Sequence, residues 1–120
     1  MMIIFETQIT RIGSNAHNAL MDNILILFRE GVSADLEEYC FIHAHGDMSG
    51  ELKVSGKMQL GEQIYLITAI GDVVSTNLRE LGHITVHFDG NHVAELPGSV
   101  HVQGEIPEII LSGSTLKFTE

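Results

Sequence analysis

Short runs of Ile, Leu and Val, punctuated by glycine, recur along the whole chain. A strand crosses a sheet in about five or six residues, so this punctuation describes strands joined by turns. It constrains the fold to the all-β class, as a sandwich or a barrel. At 120 residues, one domain spanning 1–120 is expected. A chain of that size buries roughly two thirds of its unfolded surface, enough for one core. No internal repeat, low-complexity tract or linker is visible in the sequence.

Strands are expected at 3–11, 24–28, 39–45, 51–60, 63–74, 83–88, 99–103 and 115–118. The apolar N-terminus, from Met1 to Phe5, reads as the start of the first, because it is short and no basic region precedes it. Residues 24–28 form a continuous apolar run, expected to be buried on both faces. Gly61-Glu62 joins two strands, Gly71 suits a bulge, and Asp89-Gly90 is a turn signal. Pro97 and Pro107 fall between strands, where a missing N–H does no harm. Two short helical turns are expected. One covers 33–38, with Ser33 or Asp35 as cap. The other covers 75–81, with capping-box spacing from Asn77 to Glu80 and Gly82 as its C-terminal cap.

Charge narrows the function. Six basic against sixteen acidic residues give a formal net charge of -10. Nucleic acid is excluded as a partner, since phosphate contacts need clustered Lys and Arg. An acidic surface steers basic partners instead, and it also serves solubility. The single cysteine, Cys40, cannot form an internal disulfide, which fits a reducing compartment. No run approaches the roughly 20 apolar residues of a membrane span. A soluble, cytoplasmic protein without direct membrane insertion is expected.

The chemistry concentrates in Tyr39-Cys40-Phe41-Ile42-His43-Ala44-His45-Gly46. In a strand, side chains alternate, so Tyr39, Phe41, His43 and His45 share one face and Cys40, Ile42 and Ala44 the other. Imidazole is mostly neutral at neutral pH and nucleophilic. It takes a phosphoryl group when one ring nitrogen is approachable and the other is held by a hydrogen bond. Spacing alone leaves three readings open: phosphoryl transfer, metal ligation and ordinary edge histidines. Gly46 would let a partner approach closely. Cys40, on the opposite face, is excluded as the partner of a Cys–His nucleophile.

His-x-His with Glu51 and His101 is similar to the metal-binding pattern of cupin barrels. The departures are several. Five residues separate His45 from Glu51, Glu37 stands where a glycine belongs, and Glu105 replaces the Asn of the second motif. His83 and His87 read as solvated or structural, while His101 could reach the same cleft. His17 and His92 read as loop residues. Arg79-Glu80, on the short helix, is either a phosphate-steering feature or an exposed ion pair. No phosphate-binding glycine loop, Walker motif or Gly-x-Ser-x-Gly elbow is present.

Several segments together resemble the glucitol/sorbitol-specific enzyme IIA of the bacterial phosphoenolpyruvate-dependent sugar phosphotransferase system. They include Thr7-Gln8-Ile9-Thr10-Arg11-Ile12-Gly13, Phe28-Arg29-Glu30-Gly31 and the stretch from Asp35 through Gly46. Asn77-Leu78-Arg79-Glu80-Leu81-Gly82-His83, His87-Phe88-Asp89-Gly90, Leu96-Pro97-Gly98-Ser99-Val100-His101-Val102 and Leu116-Lys117-Phe118 complete them. The resemblance runs nearly end to end. It implies a small single-domain β-barrel, closed or partly open, with one or two short helical turns. It also implies a phosphocarrier that takes a phosphoryl group from the carrier HPr and passes it to a cysteine of the IIB/IIC permease. The family's phosphorylated histidine falls on His43. His45 is its neighbour, with an orienting or stabilising role as our hypothesis. No metal or organic cofactor is implied. Two alternatives remain at this stage: a metal-binding cupin-like barrel with His43, His45 and His101 as ligands, and a regulatory relative without transfer activity.

Overall fold

The computed structural model describes residues 2–120, so Met1 lies outside the described residues. Eight strands form a closed barrel. They are β1 (Ile3–Ile12), β2 (Ile24–Arg29), β3 (Phe41–His43), β4 (Lys57–Leu60), β5 (Gln63–Ile70), β6 (Ile84–His87), β7 (Ser99–Gln103) and β8 (Thr115–Thr119). Their order around the wall is β1-β3-β2-β6-β7-β5-β4-β8. The β2–β3 and β6–β7 pairs are parallel, and every other pair is antiparallel. Among the described residues no helix is long and apolar enough to cross a membrane.

Closure forces one face of each strand inward and the other outward. Leu25 and Leu27 of β2 are therefore buried, while Ile24, Ile26 and Phe28 are only half-buried. That corrects the expectation of a strand covered on both sides. Ile84 and Val86 of β6 point into the same core as Phe5, Ile9, Phe41 and Phe118. Each such side chain contributes about 1.5–3 kcal/mol on burial.

Three short helices decorate the barrel rather than one or two: α1 (Ala16–Met21), α2 (Ala34–Glu37) and α3 (Val74–Leu81). The first was not foreseen, and it places His17 on a helix rather than in a loop. It has six residues and no side-chain cap, so little marks it locally. It holds because Ala16 and Leu20, one turn apart, both enter the core. Helix α3 starts at Val74, ahead of the expected capping box. The Asn77 N–H bonds the Val73 carbonyl, so Asn77 lies inside the helix.

Other bounds also shift. Residues 51–56 are irregular, tied to α3 by Leu52 N–H donating to Ser75 Oγ at 3.0 Å. The bulge of β5 falls between Ile67 and Ala69, not at Gly71. Gly71 instead allows close approach, because a Cβ there would stand 2.2 Å from the Pro97 carbonyl oxygen.

The register reveals a two-fold relation that the sequence hides. Strands β1 to β4 match β5 to β8. β1 pairs β3 across a bulge and β3 pairs β2 in parallel, just as β5 pairs β7 across a bulge and β7 pairs β6 in parallel. The pairs joining the halves map onto each other: Leu25↔Val86 onto Leu27↔Ile84, and Met58↔Phe118 onto Leu60↔Leu116. Gly13 N–H bonds the Cys40 carbonyl as Gly71 N–H bonds the Ser99 carbonyl, each at 2.9 Å. Phe41 then corresponds to Val100, His43 to Val102, and Gly82 to Asn23. The last two share a left-handed backbone, φ 64° and 68°.

Candidate functional site

His43 closes one mouth of the barrel. It follows Phe41 on the inward face of β3, in register with Ile9 of β1 and Arg29 of β2. Its side chain is fully buried. The Phe5 ring meets it edge-on, centroids 5.9 Å apart. Both ring nitrogens are occupied. Nδ1 accepts the backbone N–H of His45 at 3.0 Å, and Nε2 lies 2.7 Å from the Gly82 carbonyl oxygen. A backbone N–H can only donate, so the neutral ring carries its proton on Nε2 and donates it to Gly82.

The strand ends at His43, not at His45. His45 has φ 69°, and this left-handed turn aims its N–H back at the His43 ring. Upstream, Cys40 N–H bonds the Glu37 carbonyl, so Tyr39 and Cys40 finish the turn of α2 instead of starting β3. The predicted shared face is thereby shortened, yet the two imidazoles stay together, centroids 5.7 Å apart. His45 is half-exposed, and its ring also packs on Phe5 at 5.8 Å. Its Nε2 donates to the Arg79 carbonyl at 3.1 Å. Its Nδ1 is buried without a hydrogen-bond partner.

Both donations go to the end of α3. Gly82 stops that helix in the left-handed region, leaving terminal carbonyls without helical partners. The Arg79 and Gly82 carbonyls, one turn apart, are the ones that hold the histidines. Neither partner was legible in the sequence, where Gly82 signals only a helix end. In the matching half, the Asn23 carbonyl accepts a backbone N–H from Phe88 at 3.0 Å. The carbonyl that serves a strand there serves an imidazole here.

Burial pushes the His43 pKa below its usual value, and the Gly82 hydrogen bond opposes only part of that. The ring is therefore neutral at pH 7 and retains a nucleophilic lone pair. A cleft of about 580 Å³ opens at its neighbour His45, lined by residues 44–48 and Arg79. A second, of about 290 Å³, lies across His45 and is lined by Glu6, Thr7, Gln8, Ala44 and Thr115. Gly46 makes room for the chain itself rather than for a partner. A Cβ there would sit 2.7 Å from the Glu6 carbonyl oxygen.

The remaining histidines lie apart. His83 bonds the Leu27 carbonyl at 3.0 Å and stacks on Phe28. His101 stacks on His87 and donates from Nδ1 to Asp89 at 2.8 Å, so it does not reach the His43 cleft. Among the described residues no three His, Cys, Asp or Glu side chains are grouped to hold a metal, and Glu51 is exposed. The ligand set His43, His45 and His101 is thus not assembled. Burial raises the Cys40 thiol pKa, and its Sγ lies 3.1 Å from the Leu36 carbonyl oxygen, away from any histidine pair.

Comparison with known proteins identifies the family and the fold. The family model of the PTS system glucitol/sorbitol-specific IIA component matches residues 4–117. Proteins named glucitol/sorbitol-specific EIIA component from Shigella flexneri and Escherichia coli are each 55% identical over 118 residues. Those alignments cover 98% of this chain and 96% of theirs. A crystal structure of a PTS system IIA component from Enterococcus faecalis superposes with a TM-score of 0.79 at 21% identity. It covers 96% of this chain and 99% of that one, a likeness of fold.

Proposed function

The chain belongs to the family of glucitol/sorbitol-specific IIA components of the phosphotransferase system, and from that premise we propose that His43 carries the phosphoryl group. A IIA component works with other components of that system as a phosphocarrier. In this reading phospho-HPr is the donor, and a cysteine of the IIB part of the permease is the acceptor, with glucitol or sorbitol as the sugar served. The protein acts in the cytoplasm, beside the permease. No metal or organic cofactor takes part.

The transfer balances without a proton changing sites. The lone pair of a neutral His43 nitrogen attacks phosphorus as the P–N bond of the donor phosphohistidine breaks. The donor ring leaves neutral, keeping its own N–H. His43 becomes an N-phosphoimidazolium, with its other nitrogen still protonated. The transition state is loose, so positioning and charge stabilisation carry the catalysis. In the closed site each ring nitrogen is engaged, and a phosphoryl group reaches one only when its hydrogen bond opens.

One observation carries the reading. At the position matching His43 in the other half, Val102 plugs the barrel, fully buried. The fold accepts valine there, so packing does not require an imidazole at 43. A buried histidine kept neutral, with both nitrogens held, is then best explained by chemistry.

The test is intact mass after incubation with phosphoenolpyruvate, enzyme I and HPr. Wild type should gain one acid-labile phosphoryl group. His43→Val, which copies the residue at the matching position, should fold and gain none, while His45→Ala should still gain one, more slowly. A His43→Val protein phosphorylated at the wild-type rate would overturn the assignment.

A further inference from the structure

The phosphoryl group that reaches the histidine pair is a dianion, and the chain around it is acidic. Glu6 and Asp47 line the two clefts beside His45. Bringing a dianion there needs a counter-charge, because like charges in a partly desolvated site repel strongly. The chain has only six lysines and arginines. Arg11 pairs with Glu37, Lys53 with Glu120, and Lys117 with Glu6. Arg29, Lys57 and Arg79 make no ion pair among the described residues. Of the three, Arg79 lines the cleft that holds His45.

The placement of Arg79 is specific. Its backbone carbonyl holds Nε2 of His45. Its guanidinium Nη2 meets the carbonyl oxygen of Gly50, two residues beyond the cleft-lining Met48, at 3.4 Å. That contact is long and exposed, so a stronger acceptor can displace it. A phosphoryl group offers such an acceptor in a geometry that a planar guanidinium matches with two N–H donors. His45, whose Nδ1 is buried and unpartnered, lines the same cleft.

We infer that the Arg79 guanidinium leaves Gly50 and binds the phosphoryl oxygens during transfer, supplying the positive charge of the site. The inference rests on the phosphocarrier reading given above. Arg79 is then a phosphoryl-binding residue, while its own carbonyl, untouched by side-chain substitution, continues to position His45.

The experiment measures the rate of phosphoryl acceptance from phospho-HPr for wild type, Arg79→Gln, Arg79→Lys and Lys57→Gln. Thermal midpoints and the phosphorus NMR signal of each phosphoprotein are recorded alongside. Arg79→Gln should accept on the order of 100-fold more slowly, the lower end of the loss when one donor to a developing oxyanion is removed. Its thermal midpoint should hold, its phosphohistidine resonance should move, and Arg79→Lys should regain part of the rate. Lys57→Gln removes the same charge outside the cleft and should match wild type. Arg79→Gln as fast as wild type overturns the inference, and so does a Lys57→Gln protein slowed to the same degree. Arg79→Lys as slow as Arg79→Gln, with faster amide exchange across residues 46–50 in both, would make Arg79 a loop pin instead. If wild type takes no phosphoryl group from active donors, the phosphocarrier reading itself falls, and this inference with it.

Discussion

The Gly82 carbonyl oxygen lies 2.7 Å from Nε2 of His43, and a Cβ added to Gly82 would stand 3.0 Å from Cε1 of the same ring. The residue that ends α3 is thus also the residue that holds the histidine. Gly82→Ala strikes both roles. Its φ of 64° disfavours any L side chain, and the new methyl would sit 2.5 Å from Arg29 Cβ. Left-handed strain and overpacking together should cost on the order of 2–4 kcal/mol. Denaturant unfolding should report that loss, and phosphoryl acceptance should fall in the fraction that stays folded. Unchanged stability and rate would mean that the helix end can move away from His43 freely.

Phe5 supports the same ring from the other side. It packs on His43, His45 and Phe118 at once and is 1% exposed. Phe5→Ala should cost about 3–5 kcal/mol, as truncations of buried aromatics do. Phe5→Leu fills more of the space and should cost less, while still freeing the imidazoles to tilt. Chemical denaturation should rank the two in that order. Acceptance by Phe5→Leu should be slower than its folded fraction explains, and a rate equal to wild type would show that Phe5 serves the core alone.

The Asp89–His101 pair gives a contrasting prediction. Asp89 accepts from His101 Nδ1 at 2.8 Å and from Asn91 N–H at 3.0 Å. Burial raises the Asp89 pKa, but the hydrogen bond from His101 and that from Asn91 outweigh it and leave it lowered. Asp89→Asn exchanges a charge-assisted bond for a neutral one and should cost roughly 1 kcal/mol. β7 stands three strands along the wall from β3, so phosphoryl acceptance should stay at the wild-type rate. Kinetics and unfolding on one preparation would separate the effects, and a large loss of rate would tie this pair to the site.

The strands were legible because a barrel wall writes period two into the chain. β6 reads directly, with Ile84 and Val86 inward and Thr85 and His87 outward. Helix α3 was legible from Gly82. Helix α1 was not, since Ala16 and Leu20 reveal their face only once a core exists to receive them. The parallel pairs and the two-fold relation were invisible because they reside in register between distant strands, and most matched residues differ in type. His43 opposite Val102 is the clearest case. Alternation predicted the face His43 shares with Phe41, but not that this face fills a barrel mouth under another element's helix end. Exposure at a strand edge was the natural expectation, and burial replaced it.

That burial makes a pH prediction. His43 has a lowered pKa in the folded protein, chiefly from burial, and His87 is lowered for the same reason with His101 beside it. In the unfolded chain both titrate near 6.5, the ordinary imidazole value. Below that pH the unfolded state binds protons that the folded state refuses. Stability is therefore fully present above the unfolded pKa and falls as pH drops through 6.5 towards the folded values. The slope is at most about 1.4 kcal/mol per pH unit for each such histidine. Urea midpoints between pH 5 and 8 should decline on the acid side in wild type. In His43→Val that decline should be shallower, because one of the two groups is gone, while contributions common to both proteins cancel in the difference. An equal slope in the two proteins would mean that His43 takes up its proton without leaving the fold. The mouth of the barrel would then open at a pH where the chain is still native, and the masked lone pair would be accessible in the resting protein.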